Sequence, residues 1–332
     1  MTNTVRTSAH AKLLLFGEHA AVWGYPALGL SLTATLTLEY EEFIPDNEVS
    51  PTSRAWEFWP QEQSDPLPDL IEIFQKLRTN RGLAPLPPGR LSLASDIPSG
   101  GGWGSSAALA SAFARLFLPN APLEGPESLD EAAREGEKLF HGRPSGIDTA
   151  LALRQGWWYL ERDGDRLNAK ALPDRNPPLV AGALPRLTTT KDLVNGIAEQ
   201  RQRDPSGTAQ RLATLGELAK QAHVLVRSAH FAPAALGALM QTAQALLAEL
   251  GVSHPALHSV FEAARHRGSL GEKLSGAGGG GAFVMVFPNH DSALAACTAL
   301  QEAFSPQFWA APPQLVTASP RDPLPEASHE KL

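Results

Sequence analysis

The amino-acid sequence predicts an α+β protein of two domains. Its 332 residues exceed the size of one typical domain. Segments typical of strands and of helices are mixed without the regular alternation of a parallel α/β sheet. The second half is richer in helical patterns, and a proline-rich stretch over 173–185 is typical of a linker. We therefore expect domains over residues 1–178 and 179–332.

Hydrophobic periodicity predicts the elements of the first half. Between residues 28 and 40, apolar and polar residues alternate, which indicates a half-buried antiparallel strand. After a serine cap at Ser105 or Ser106, apolar spacing of three and four predicts a helix that stops before Pro119. The other predicted elements are a strand over 11–16, a loop over 44–68, a strand around Leu91 and Leu93, a helix over 129–140 and a strand over 156–160.

The second half contains longer helical patterns. A buried strand is expected directly after a glycine run that spans 276–281, and the last dozen residues are typical of a loose tail. The predicted elements are helices over about 190–203, 206–229, 233–250 and 255–266, a strand over 282–287, and a helix from Asp291 or Ser292 to Phe304.

Composition narrows the class of protein. The net charge is −7 and no long basic run is present, which argues against a nucleic acid or an acidic membrane as partner. The single cysteine, Cys297, excludes an intrachain disulfide. The start of the chain lacks the apolar core of a signal peptide, and no apolar stretch reaches the length of a membrane span. We expect a cytoplasmic protein.

The glycine cluster PSGGGWGSSAA, residues 98–108, lies between a predicted strand and a predicted helix. Glycines allow the backbone to approach a ligand closely, and a helix N-terminus favours an anion. The cluster lacks the Gly-Lys-Ser/Thr ending of a Walker A loop. It is either a cradle for phosphates or a tight turn followed by a serine cap.

A second glycine run, KLSGAGGGG over 273–281, formally matches the dinucleotide fingerprint. That fingerprint requires a following helix, whereas a strand is predicted here. The run is either a flexible hairpin or a second loop that accepts anions. Two such loops in one chain favour a polyphosphate ligand.

Two charged residues are candidates for chemistry. Asp148, within HGRPSGIDT over 141–149, is either a general base toward a hydroxyl or a helix cap. Lys12 lies in an apolar segment, where an unpaired ammonium is unfavourable. It either pairs with a carboxylate such as Asp148 or extends its charged end into water.

Together these segments resemble the GHMP kinase superfamily and, within it, the mevalonate kinase family. The resemblance is carried by KLLLFGEHAAVWGYPAL over 12–28, the first glycine cluster, HGRPSGID, Thr190-Lys191 and KLSGAGGGG, in the family's order. It implies an N-terminal domain like domain 2 of ribosomal protein S5 and a ferredoxin-like C-terminal domain. It also implies ATP-dependent phosphorylation of the 5-hydroxyl of mevalonate in isoprenoid biosynthesis, and often a homodimer.

The resemblance also implies residue roles. Asp148 would act on the attacking hydroxyl and Lys12 would pair with it, while Ser106 and Glu137 would hold Mg²⁺. ATP would contact Pro98, Gly100, Gly101, Gly102, Gly104, Ser105, Ser106 and Ala107. The substrate would contact Lys12, Glu18, His19, Ser145, Gly146, Asp148, Thr190, Gly276, Ala277 and Gly278.

Three positions depart from the family pattern, and other functions stay open. Trp103 stands where the family usually has leucine, and its ring would either narrow the nucleotide pocket or pack beneath it. Thr149 stands where asparagine is usual, and Ala282 replaces a common cysteine. The alternative acceptors are phosphomevalonate, for which Arg143 is a candidate contact, a homoserine-like alcohol and a sugar. A sugar is disfavoured because, in galactokinase-like sequences, an aspartate follows the Gly-Glu-His triplet shortly, whereas Ala20-Ala21-Val22 follows it here. A non-catalytic binding protein is disfavoured because Lys12, Glu137 and Asp148 are all present.

Overall fold

Two β-sheets organise the part of the chain that the computed structural model describes, which is residues 4–43, 56–60, 65–98, 100–142, 144–164 and 166–320. The first sheet has the order β3-β4-β2-β5-β6, and β1 also pairs with β2. Its strands are β1 (Thr4–Phe16), β2 (Ala27–Glu42), β3 (Glu57–Trp59), β4 (Gly89–Ser95), β5 (Trp157–Asp163) and β6 (Arg166–Ala171). Every pair except β3 with β4 is antiparallel.

The second sheet is antiparallel throughout, with the order β10-β7-β9-β8. Its strands are β7 (Leu179–Leu184), β8 (Gly271–Leu274), β9 (Gly281–Val286) and β10 (Ala311–Leu315). The prediction of a linker over 173–185 is wrong for residues 179–184, which form β7. All six residues of β7 are buried, because this apolar run forms an inner strand between β10 and β9.

Helices pack against both sheets. They are α1 (Leu67–Asn80), α2 (Ser105–Phe117), α3 (Leu129–His141), α4 (Ile147–Ala152), α5 (Thr190–Arg203), α6 (Pro205–Arg227), α7 (Pro233–Glu249), α8 (Pro255–Arg265) and α9 (His290–Ala303). The structure confirms the predicted helices, which are α2, α3 and each helix from α5 to α9. None of the described helices combines the length and apolarity needed to cross a lipid bilayer.

Two helix starts differ from the sequence prediction. Gly104, with φ of 86°, is the N-cap of α2, and Ser105 and Ser106 are its first helical residues. Gly146, with φ of 78°, is the N-cap of α4, so Asp148 lies within the first turn rather than at the cap. Both corrections leave side-chain oxygens available for other contacts.

The predicted loop over 44–68 is also partly wrong. Residues 57–59 form β3, and α1 begins at Leu67. The rest of that prediction over 44–55 and 61–64, and the predicted tail over 321–332, fall outside the described residues. The sequence analysis also missed β6, β8 and β10.

Strand β2 holds the first sheet together and confirms the predicted alternation in its second half. There Leu36, Leu38 and Tyr40 are buried, while Thr33 and Glu39 are exposed. At its first half both faces are buried, and the Ser31 hydroxyl donates to the Leu151 carbonyl at 2.7 Å. This packing covers the strand beside α4 and brings the first turn of that helix toward β1.

The two sheets share one contiguous apolar core, with buried residues from β1 to β10. The chain also returns to the first sheet near its end, where Ser319 N–H donates to the Ser31 carbonyl at 2.8 Å. A domain boundary at residue 178 stays a prediction.

Candidate active site

Lys12 on β1 is the residue around which the site is built. Its side chain is 2% exposed, and its Nζ lies 3.0 Å from Asp148 Oδ2, whose side chain is 35% exposed. A register shift between His10 and Lys12 interrupts the pairing of β1 with β2 at this point. The Lys12 N–H instead donates to the Trp103 carbonyl at 2.9 Å. The pairing alternative for Lys12 is therefore the correct one.

Gly104 allows the first glycine cluster to lie directly on Lys12. A Cβ atom at this position would be 2.7 Å from Lys12 Cγ, which is closer than real contacts allow. The φ of 86° would also strain any L-residue there. A glycine is therefore needed at position 104, both to adopt the positive φ and to leave room for the aliphatic part of the Lys12 side chain.

A cavity of about 530 Å³ opens beside the Lys12–Asp148 pair. It is bounded by the end of β1, the end of α3, the segment before α4, the start of α5 and the β8–β9 loop. The cavity brings together most of the residues predicted for the acceptor, together with one predicted metal ligand. These residues are Lys12, Glu18, His19, Glu137, Ser145, Asp148, Thr190, Gly276 and Ala277.

His19 has an unusual backbone and a neutral ring. Its φ of 58° lies in the left-handed region. Burial lowers the pKa of His19 to about 4, and its Nε2 lies 2.9 Å from the Ala277 carbonyl. A carbonyl only accepts, so Nε2 carries the proton and donates. The neutral tautomer that this contact selects leaves Nδ1 as an acceptor.

Glu18 forms an ion pair with Lys273 of β8, and both side chains are fully buried. Burial raises the pKa of Glu18, and the neighbouring Lys273 ammonium opposes that rise. Sequence analysis placed Glu18 at the site but missed Lys273. The KLSGAGGGG segment contained that lysine, yet nothing local in it indicated burial.

Glu137 is buried at 2% exposure on the inner side of α3. Burial, and then repulsion from Asp148, raise the pKa of Glu137 to about 8, while Lys12 opposes the rise. Its Oε2 has no hydrogen-bond partner in the described part of the chain. A buried side-chain oxygen without a protein partner fits a residue that would hold a cation.

The donor set here fits Mg²⁺ better than it fits a transition metal. Among the described residues, no group of three or more His, Cys, Asp or Glu side chains is arranged to hold a metal. Ser106 Oγ lies 3.3 Å from Nε2 of His141, which is one helical turn after Glu137 on α3. Mg²⁺ commonly takes one or two protein oxygens and completes its shell with phosphates and water. Ser106 and Glu137 supply such a set.

The first glycine cluster borders this site without lining the cavity. Trp103 is buried in the core, so its ring packs beneath the loop rather than narrowing a pocket. Pro98 and Ala107 flank the loop, and its serines begin α2. The N–H groups of the first turn of α2 are free of helical partners, so this terminus favours anions.

Arg186 is a site residue that the sequence analysis missed. It lines the cavity, and its guanidinium donates to Thr190 Oγ1 at 3.3 Å. Cβ atoms built on Gly102 and Gly281 would lie 3.0 Å and 3.2 Å from its nitrogens. The guanidinium therefore lies between the two glycine loops. It follows β7, which the sequence analysis had taken as linker, so no expected strand end pointed to it.

Two predicted contacts lie elsewhere. Gly146 lines a second cavity of about 340 Å³, together with Arg134 and Arg162. Gly278 packs on the Val252 carbonyl and is not part of the 530 Å³ cavity wall. Arg143, the candidate for a phosphorylated acceptor, is outside the described residues.

Comparison with known proteins places this geometry in a family. Residues 70–156 match the GHMP kinases N terminal domain, and residues 209–306 match GHMP kinases C terminal. The mevalonate kinase of Thermococcus gammatolerans is 30% identical over 315 residues, covering 88% of this chain and 91% of the relative. That of Thermococcus sibiricus is 29% identical over 318 residues, with coverage of 88% and 91%.

A solved structure of a mevalonate kinase has a similar fold. The crystal structure of L. major mevalonate kinase in complex with R-mevalonate superposes with a TM-score of 0.74 at 22% identity, covering 96% of this chain and 98% of that one. The chain belongs to the GHMP kinases, a family of ATP-dependent kinases of small molecules. The predicted α+β fold of this family is confirmed. The predicted homodimer and cytoplasmic location stay predictions.

Proposed function

We propose that the protein transfers the γ-phosphoryl group of ATP to the 5-hydroxyl of mevalonate, giving 5-phosphomevalonate and ADP. The observation that carries this proposal is the Lys12–Asp148 pair, 3.0 Å apart, at the wall of a cavity of about 530 Å³. The cavity accommodates a small acceptor molecule. The choice of mevalonate is supported by the names of the relatives at about 30% identity.

Asp148 would orient the acceptor hydroxyl and take its proton as the oxygen attacks the γ-phosphorus. The bond from that phosphorus to the bridging oxygen of ADP breaks in the same transfer. Phosphoryl transfer demands mainly positioning and charge neutralisation, so an aspartate held by a lysine is well suited to the orienting role. Lys12 is then close enough to contribute positive charge to the transferring group.

ATP phosphates would lie on the first glycine cluster, where the N-terminus of α2 offers N–H groups. Ser106 and Glu137 would hold Mg²⁺, which neutralises phosphate charge when it is bound. Arg186, between the two glycine loops, is placed to contact a phosphate oxygen. His19 and Thr190 also line the cavity, where the rest of the acceptor would bind.

The test is ADP release with Mg-ATP and mevalonate, compared for the natural protein and for Asp148→Asn. We expect turnover with mevalonate and its loss in the variant, with ATP affinity retained because Asp148 would act on the acceptor hydroxyl and not on ATP. Loss of ATP binding with retained turnover would refute the role given to Asp148. Absence of turnover with mevalonate would refute the proposed substrate.

Phosphomevalonate is the second candidate acceptor. Arg186, Lys138 and Lys191 all line the cavity and could bind an acceptor's phosphate in addition to those of ATP. Turnover with phosphomevalonate alone, measured in the same assay, would keep the catalytic residues and replace the substrate.

A further inference from the structure

Residues 273–277, which run from β8 into the β8–β9 loop, are joined to residues 14–19 at three alternate positions. The Leu14 N–H donates to Ser275 Oγ at 3.1 Å, and the His19 ring donates to the Ala277 carbonyl at 2.9 Å. The third link is the ion pair of Glu18 with Lys273. One short segment thus holds two neighbouring residues, Glu18 and His19, by their side chains.

The second of these residues, His19, has a strained backbone conformation. The φ of 58° at His19 is sparsely populated by non-glycine residues, and such conformations persist only where their surroundings fix them. The following short 3-10 helix, Ala20–Trp23, begins with the Ala20 N–H donating to the Glu18 carbonyl at 2.6 Å. The position of the His19 ring at the cavity therefore depends on how firmly residue 18 is held.

Lys273 makes several contacts in the core besides its ion pair with Glu18. Its ammonium donates to Glu18 Oε1 and, at 2.6 Å, to the Leu274 carbonyl. It also lies 5.9 Å from the centre of the Phe16 ring. A buried ion pair often contributes no more stability than a well-packed apolar pair, because both charges lose their hydration. The presence of this ion pair is therefore weak evidence for a role in fold stability alone.

We propose that Lys273 is a positioning residue, which acts through Glu18 to hold the His19 turn in place for the acceptor substrate. The proposal rests on the proposed phosphorylation of mevalonate at this cavity. It makes the β8 strand, and not only its glycine loop, part of the acceptor site. It also explains why a lysine with no access to the ligand is kept in the core.

The test compares Lys273→Met with the paired variant Lys273→Met/Glu18→Met. The single variant leaves a buried carboxylate without its partner and is expected to lower the melting temperature. The paired variant removes both charges and is expected to recover much of that loss. In both we expect the KM for mevalonate to rise about tenfold or more, with the KM for ATP nearly unchanged, because a displaced turn misplaces only the acceptor.

Nitrogen NMR of the His19 ring provides a readout that does not depend on turnover. In the natural protein we expect the signal of a neutral ring protonated at Nε2 from pH 8 to pH 5. In both variants we expect that signal to be lost or averaged. If it persists while the KM for mevalonate rises, Glu18 contacts the substrate directly and the positioning role is wrong.

A control is available in the ion pair between Arg265 of α8 and Glu272 of β8, although Arg265, unlike Lys273, is more than half exposed. Arg265 Nε lies 3.1 Å from Glu272 Oε2, and Glu272 is also buried, but adjacent strand residues point to opposite faces. Arg265→Met therefore removes the cation from a buried carboxylate away from the cavity and should leave the KM for mevalonate unchanged.

If the paired variant recovers both its stability and the KM for mevalonate of the natural protein, the role of Lys273 is purely structural and the proposal is overturned. A natural protein inactive on mevalonate would instead refute the proposed function, while the His19 signal would still test the positioning.

Discussion

At the scale of single residues, the two carboxylates beside Lys12 differ in their surroundings. Asp148 is partly exposed and paired at 3.0 Å, whereas Glu137 is buried with one oxygen unpartnered. The pKa of Glu137 is raised to about 8, which favours its neutral form in the free protein. A bound cation would favour its ionised form. The binding of Mg²⁺ and ATP should therefore release a proton from this residue.

The raised pKa of Glu137 predicts a pH-dependent stability. The unfolded carboxyl titrates near 4.5 and the folded one near 8, so the folded state binds the extra proton between these values. Stability from the neutral form is thus fully present below pH 4.5 and falls as pH rises toward 8. Relative to Glu137→Gln, the free energy of unfolding without Mg²⁺ or ATP should fall by up to about 1.4 kcal/mol per pH unit.

Urea titrations of both proteins at pH 6, 7 and 8 would measure this difference. The glutamine variant is the matched control because it retains the size of the side chain and cannot titrate, so contributions from other groups cancel. Added Mg²⁺ and ATP should flatten the dependence in the natural protein. Equal pH slopes for the two proteins would show that Glu137 is ionised in the free fold.

At the scale of elements, contact between the glycine cluster and β1 sets the position of Lys12. Gly104→Ala would place a methyl group 2.7 Å from Lys12 Cγ in a left-handed conformation. We expect a large loss of turnover, about a hundredfold, because the ammonium is displaced from Asp148. Gly82→Ala is the matched control: it shares a positive φ of 70°, but no atom lies within 4 Å.

The control should lose about 1–2 kcal/mol of stability from backbone strain and retain its turnover. Steady-state kinetics and thermal unfolding of both variants would separate strain from displacement. Similar kinetics for the two alanine variants would mean that Lys12 moves aside without effect on catalysis.

The elements also show which structural features could be predicted from sequence. Helices such as α5 have one apolar face, and their periodicity gave bounds within a few residues. Strand β7 is apolar on both faces and lies among prolines, so no period of two identified it. Strand β10 contains Pro312 and Pro313 at a sheet edge, where proline is tolerated but weakens any strand pattern.

At the scale of the whole molecule, the site joins residues that are distant in sequence. Lys12, Asp148 and Gly276 meet at one cavity, and the resemblance of their motifs to a family predicted this. Lys273 and Arg186 could not be identified in that way. Burial of a lysine, or the approach of an arginine to two loops, depends on how the two sheets pack, which local patterns do not encode.

The shared core predicts that the two halves of the chain do not fold independently. Buried residues of both sheets form one apolar cluster, and the 179–332 half supplies partners to Leu14, Glu18 and His19. A chain of residues 1–178 would expose that apolar surface and leave the Glu18 carboxylate without Lys273. We expect it to lack a cooperative thermal transition, which circular dichroism would show against the full chain. Mixing this chain with a separate chain of residues 179–332 should restore turnover only if the two sheets dock. A sharp thermal transition in the 1–178 chain alone, at a temperature near that of the full protein, would establish an independent domain and contradict the prediction.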